Sequence, residues 1–142
     1  MKSPALSGLF NTIIMKKIEL LKKLSELNLD KNEYWVSAGG SLLLHGLREE
    51  TGDIDLGCTT KLANELVEMG YPYITTPDGR RNFSICEGVD VSEGWLYDKV
   101  EFIDDIPVVS LLGVYLLKKD LNREKDKKDL AVLEAILFPD KK

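Results

Sequence analysis

From Tyr34 to Leu56 the chain reads Tyr-Trp-Val-Ser-Ala-Gly-Gly-Ser-Leu-Leu-Leu-His-Gly-Leu-Arg-Glu-Glu-Thr-Gly-Asp-Ile-Asp-Leu, and few folds accommodate such a stretch. Strand formers run into Gly39-Gly40, and twelve residues separate the glycine pair from Asp53. The pattern predicts a strand, a turn at the glycines, a short helix from Ser41 to Arg48 ended by Gly52, and a second strand. At a strand-to-helix turn without side chains, backbone N–H groups can approach a phosphate closely. Ser41 adds a hydroxyl at the helix start. In the second strand Asp53 and Asp55 fall on one face, while Ile54 and Leu56 fall on the other and enter a core. Two carboxylates on one surface repel unless a cation lies between them, and hard oxygen ligands of this kind suit Mg²⁺ carried on a nucleoside triphosphate.

The rest of the chain supplies alternating helices and strands. Ser3 before Pro4 reads as an N-cap and first-turn pair, and Phe10, Ile14, Ile18, Leu21 and Leu24 recur at helical spacing, so a long opening helix is expected to end near Leu27. Asn28 to Asn32 is a polar loop. Thr59 or Thr60 caps a helix through Met69, stopped by Gly70. Tyr71 to Thr75 is the next strand, and Pro77-Asp78-Gly79 a turn. Asn82 to Cys86, Glu87-Gly88 and Val89 to Val91 read as strand, tight reversal and strand. Further strands at Val100 to Ile103 and Ile106 to Val109 precede Ser110, the cap of a helix from Leu111 to Leu121. A last helix from about Arg123 to Leu137 buries Leu130, Leu133 and Leu137. The expected organisation is a single domain over 1–142: an N-terminal helix (1–28), a catalytic sheet region (34–109) and two C-terminal helices (110–137).

Several function classes are excluded. No stretch is apolar enough to span a bilayer, and the N-terminus fits an amphipathic helix better than a cleavable signal, so a cytoplasmic protein is expected. Cys58 and Cys86 are isolated and expected to be free thiols. His45, the only histidine, lies among leucines and reads as a hydrogen-bonded core residue. One histidine without clustered cysteines rules out a zinc site or a Ser-His-Asp hydrolase. Gly-Gly-Ser lacks the Gly-Lys-Ser/Thr ending of a P-loop. Trp35 and Trp95 show no interleaving with basic residues and read as packing residues. The net charge of −5 argues against an extensive nucleic-acid footprint.

Ala38-Gly39-Gly40 with Asp53-Ile54-Asp55-Leu56 resembles the signature of the nucleotidyltransferase superfamily that includes DNA polymerase β. The similarity is greatest to its minimal, antibiotic-type (aminoglycoside or lincosamide) and abortive-infection members. There Arg48, Thr51 and Gly52 precede the acidic pair, and Arg123, Lys125, Asp126, Asp129 and Leu130 match "Arg-x-Lys-Asp-x-x-Asp-Leu". The resemblance implies an α/β nucleotidyltransferase (polymerase β-like) fold, a small mixed sheet flanked by helices with two closing C-terminal helices. It implies a Mg²⁺-dependent enzyme, with two ions and Mn²⁺ as an acceptable substitute, that transfers a nucleoside monophosphate from an NTP to a hydroxyl and releases pyrophosphate. Asp53, Asp55 and Asp90 would hold the metals, Asp90 also acting as general base, with Glu101 the rival third carboxylate. Gly39, Gly40, Ser41, Arg48, Thr51 and Lys118 or Lys119 would face the nucleotide, although Arg48 reads equally as a surface arginine. Asp126 and Asp129 are expected to pair with Arg123 or cap the last helix.

Charge follows the same division. Glu87 to Asp105 holds seven acidic residues and one lysine, and Lys118 to Asp129 holds six basic residues against four acidic. An acidic metal site facing a basic phosphate-holding helix produces this asymmetry, as do two solvated surfaces. The acceptor, whether small molecule, RNA or protein, is not specified by the sequence. With only two closing helices, a small-molecule pocket calls for a homodimer or a protein partner to complete it. The alternative is a non-catalytic or partner-regulated protein of the same fold, such as one component of a toxin-antitoxin pair.

Overall fold

The computed structural model describes residues 15–140. Its five helices are α1 (Lys17–Leu27), α2 (Ala38–Leu44), α3 (Thr60–Glu68), α4 (Leu111–Leu121) and α5 (Lys127–Leu137), with a 3₁₀ turn at Glu124–Asp126 before α5. The main sheet comprises β2 (Tyr34–Ser37), β4 (Ile54–Cys58), β5 (Tyr73–Thr75), β6 (Arg81–Cys86), β7 (Val89–Glu93), β8 (Val100–Ile103) and β9 (Ile106–Val109), in the order β5-β6-β7-β4-β2-β9-β8. It is mixed: β4 runs parallel to β7 and β2 parallel to β9, while β2 and β4 are antiparallel. A separate two-stranded ribbon joins β1 (Met15–Lys16) to β3 (Glu50–Thr51). No helix among the described residues is long and apolar enough to cross a membrane.

Strand alternation sends successive side chains to opposite faces. Tyr34, Val36, Ile54, Leu56, Cys58, Phe83, Val89 and Val91 form one buried face, packed with Leu20 and Leu24 of α1 and Leu62 and Leu66 of α3. Trp35 and Val109 lie in a second cluster with Val114 and Tyr115 of α4 and Leu133 of α5. Gly57 is directly opposite Trp35 in the β2–β4 register, and a Cβ there would overlap the indole. The absent side chain lets the ring lie across the strand, where Trp35 Nε1 donates to the Trp95 carbonyl at 2.8 Å.

The sequence expectations hold for most elements; β4 begins at Ile54 and leaves Asp53 outside it, β5 begins at Tyr73 rather than Tyr71, and three helices are displaced. Helix α1 begins at Lys17, because Met15 and Lys16 are paired as a strand with Thr51 and Glu50 and Glu19 Oε1 accepts from the Lys16 N–H at 3.0 Å. Its buried face is Leu20 and Leu24, and Ile18 is 78% exposed. The expectations for Ser3, Pro4, Phe10 and Ile14 fall outside the described residues. Helix α2 begins at Ala38, three residues before the expected start, and ends at Leu44. The closing helix is divided, with Arg123 extended and the α-helical turns beginning at Lys127. Elsewhere Thr59 caps α3 by accepting from the Leu62 N–H, and Ser110 caps α4 by accepting from the Gly113 N–H.

Candidate active site

The sheet register builds the site. Asp55 of β4 is directly opposite Ser37 of β2 and directly opposite Asp90 of β7, and Asp90 is opposite Ser84 of β6. Directly paired residues share a face, so Ser84, Asp90, Asp55 and Ser37 form one row across four strands on the face opposite the main core. Asp53 stands at the bend just before β4. Burial, then the charges of Asp90 and Asp53, push the Asp55 carboxyl up to about 6 against the pull of Arg123 and Lys125. Burial, then the Asp53 charge, also raises Asp90. The charges of Asp90 and Asp53 therefore destabilise ionised Asp55, and that of Asp53 destabilises ionised Asp90.

Two cavities meet at Asp55. The smaller, of about 290 Å³, is lined by Ala38, Gly39, Arg48, Thr51, Gly52, Asp53, Asp55, Lys118, Arg123, Lys125, Asp126 and Asp129. Three of its four cations are held by carboxylates: Lys118 Nζ lies 2.7 Å from Asp126 and 3.4 Å from Asp129, Arg48 lies 2.6 Å from Asp129, and Arg123 lies 2.7 Å from Asp126. Lys118 and Asp126 are both buried. Four cationic residues thus face four aspartates in this pocket. Gly39 is required at its edge, since a Cβ there would overlap Thr51 Oγ1 and stand 2.7 Å from the Arg48 guanidinium. Ala38 adopts a φ of 51°, a left-handed conformation costly for a residue with a Cβ and typical of functional turns.

The larger cavity, of about 530 Å³, lies over β5, β6 and β7. It is lined by Asp55, Pro72, Tyr73, Ile74, Arg80, Asn82, Phe83, Ser84, Asp90, Ser92 and Trp95. Among the described residues Asn82 Oδ1 is buried here without a hydrogen-bond partner, an arrangement that costs stability unless a ligand or water supplies a donor. The rim is braced by Arg81, whose guanidinium forms two 2.9 Å bonds with the Glu93 carboxylate.

The residues expected at the site divide into two sets. Asp53, Asp55, Gly39, Arg48, Thr51 and Lys118 converge on the small pocket, and Asp90 joins Asp55 at the larger one. Gly40, Ser41 and Lys119 do not converge. Gly40 sits within the first turn of α2, where a Cβ would be 2.7 Å from Val36 Cγ1, so this glycine serves close packing against β2. Ser41 is fully buried and donates to the Val109 carbonyl at 2.8 Å. Lys119 is exposed and lines neither cavity. Glu101 lies on β8, 3.9 Å from His45 Nε2, which contacts the Val109 carbonyl. The neighbour of Asp55 is therefore Asp90. Asp126 does pair with Arg123, as expected, but its other partner, Lys118, could not be read from the sequence.

Sequence reasoning also missed Arg123 and Lys125 as pocket residues, although they lie in the matched C-terminal pattern. It missed Asn82, Ser84 and Ser92 as well. The alternation of polar residues at 82 and 84 and at 90 and 92 was the available signal for them.

No protein-family model matches this chain, and no curated protein matches it. Among solved structures, the Thermotoga maritima protein TM1012, to which a nucleotidyltransferase activity is ascribed, superposes with a TM-score of 0.57 at 19% identity, over 82% of this chain and 93% of that one. The lincosamide antibiotic adenylyltransferase LnuA, solved with lincomycin bound, gives 0.52 at 18% identity over 89% and 99%. The chain has the nucleotidyltransferase fold. Within it, the Asp53/Asp55/Asp90 set offers only hard oxygen donors, whose mutual repulsion a divalent cation would relieve. That donor chemistry fits Mg²⁺ or Mn²⁺. Among the described residues, however, no three His, Cys, Asp or Glu side chains are gathered into a ready-made metal cage.

Proposed function

We propose that this protein is a metal-dependent nucleotidyltransferase that moves a nucleoside monophosphate from Mg·NTP to a hydroxyl of an acceptor bound in the larger cavity, releasing pyrophosphate. The observation that carries the reading is the placement of Asp55 between a cation-lined pocket and an amphipathic cleft, with Asp90 on the cleft side only. The small pocket suits the triphosphate: Arg48, Lys118, Arg123 and Lys125 would bind its oxygens. Because four aspartates offset those cations, a free triphosphate gains little net attraction, and the metal complex is the ligand that the pocket's charge favours.

Mg²⁺ held by Asp53, Asp55 and Asp90 would neutralise charge developing on the α-phosphate and the leaving pyrophosphate. Asp90 takes the proton of the acceptor hydroxyl, because it faces the cleft directly beside Asp55. Asn82 Oδ1 accepts a hydrogen bond from the acceptor, and Tyr73, Ile74 and Trp95 offer it an apolar wall. The cleft's charged lining is Asp55, Asp90 and an Arg80 already paired with Asp78 at 2.9 Å. That balance favours a neutral or cationic acceptor over a polyanion such as RNA. The lincomycin bound to LnuA supports a small molecule in the same role.

The test is to follow pyrophosphate release and label transfer from each labelled NTP with Mg²⁺, using wild type and Asp90→Asn. The variant is expected to bind Mg·NTP but to transfer at least about 10²-fold more slowly. Equal turnover by the variant would remove Asp90 from the chemistry. Nucleotide binding without turnover by wild type, together with recovery of a tight protein partner, would favour the partner-regulated binding protein.

A further inference from the structure

The row Ser84, Asp90, Asp55, Ser37 runs perpendicular to the strands at about 4.8 Å per step. The small pocket begins at Asp55 and continues toward Gly39 and Lys118. Nucleotidyl transfer needs the attacking oxygen, the α-phosphorus and the leaving oxygen nearly in line. With pyrophosphate directed into the small pocket, the attacking oxygen must approach from beyond Asp55, past Asp90. The side chain that already stands there belongs to the protein itself. Ser84 is exposed, lines the same cleft as Asp55 and Asp90, and is directly opposite Asp90 in the antiparallel β6–β7 pair. Side chains so placed have Cβ atoms about 4.5 to 5.5 Å apart. The register also shifts immediately after Ser84, between it and Cys86, and such bulges bend a strand and re-aim its side chains beside active sites. Ser37, at the other end of the row, is buried, and Ser92 is opposite Asn82, two pairs further along.

We propose that, resting on the transferase reading above, the protein modifies itself: Ser84 Oγ is the acceptor when the cleft holds no other hydroxyl. The Asp90 carboxylate takes the Ser84 proton, and a bond forms between Oγ and the α-phosphorus. The bond from that phosphorus to the oxygen bridging to the β-phosphate breaks, and pyrophosphate leaves with its electron pair. The product is a phosphodiester linking Ser84 to the nucleoside. Because nucleophile and base are held on one rigid sheet, the step carries the advantage of an intramolecular reaction. The nucleotide left on Ser84 then fills the cleft lined by Asn82, Tyr73 and Trp95, so modification excludes other acceptors.

The experiment incubates the full chain with Mg²⁺ and each of the four α-labelled NTPs, with and without a low-molecular-weight cell extract. Protein label, intact mass and pyrophosphate are followed in parallel, and the modified peptide is mapped. Wild type is expected to gain the mass of one nucleoside monophosphate on Ser84, with an equal amount of pyrophosphate. Ser84→Ala, checked for native circular dichroism, should lose at least about 10²-fold of the label, and Ser84→Thr, which keeps a hydroxyl at a strand position, should retain it. Pyrophosphate release with no label on Ser84, or with label on another residue, overturns self-modification and leaves the transferase reading standing. Neither label nor pyrophosphate with any NTP, even with extract, overturns both.

Discussion

Replacing Asp55 by Asn should stabilise the metal-free protein while abolishing transfer. The Asp55 carboxyl is raised from 3.8 to about 6 by burial and by the charges of Asp90 and Asp53. The displacement of about two pH units, at about 1.4 kcal/mol each, means that ionised Asp55 costs the fold about 3 kcal/mol. Partial exposure of the side chain reduces the expected gain to about 2 kcal/mol. Because the folded-state value lies above the unfolded one, the native state binds the proton more tightly. The stability this confers is complete below pH 3.8 and is lost as pH rises through about 6. At pH 7.5 wild type bears the whole penalty, which Asn removes; at pH 4.5 most of the wild-type carboxyl is protonated and the difference should shrink to under about 1 kcal/mol. Urea unfolding in EDTA at both pH values measures this directly. Adding Mg²⁺ should stabilise wild type and leave the variant unchanged, narrowing the gap. An Asp55→Asn protein no more stable than wild type at pH 7.5, or equally stabilised at both pH values, would refute the claim that Asp55 is held in an electrostatically strained site.

Three further outcomes are expected. The Arg81 fork holds the Glu93 carboxyl down at about 2, so its stabilisation is present above about pH 4.5 and lost as pH falls toward 2; Glu93→Gln should cost about 2 kcal/mol at pH 7, flattening the acid limb of the unfolding curve. Gly40→Val should lower stability by about 2 to 3 kcal/mol, because its Cβ alone would press on Val36, and calorimetry on the folded fraction should show the smaller effect on Mg·ATP affinity. Lys125 lines the small pocket and is exposed, so Lys125→Ala should weaken Mg·ATP about fivefold, near 1 kcal/mol, and change the unfolding free energy by less than about 0.5 kcal/mol.

Local chemistry made much of this protein legible in its sequence. Strand alternation placed Asp55 opposite Ile54 and Leu56, the caps Thr59 and Ser110 marked where α3 and α4 begin, and Glu87-Gly88 marked the β6–β7 reversal, because each depends on neighbours within a few residues. The resemblance carried by the glycine pair and acidic pair extended that reading to the fold and to Asp90. What depended on distant partners was not legible. Nothing local distinguishes Gly39, which borders Thr51 and Arg48, from Gly40, which packs on Val36. Nor does it distinguish Lys118, paired with Asp126, from the exposed Lys119. Which of Asp90 and Glu101 lies beside Asp55 depended on strand order, which sets β7 next to β4 and β8 at the far edge. Strand order likewise assembled the cleft of Asn82, Ser84 and Ser92, since hydrogen bonding between strands, rather than sequence proximity, brings these side chains to Asp55.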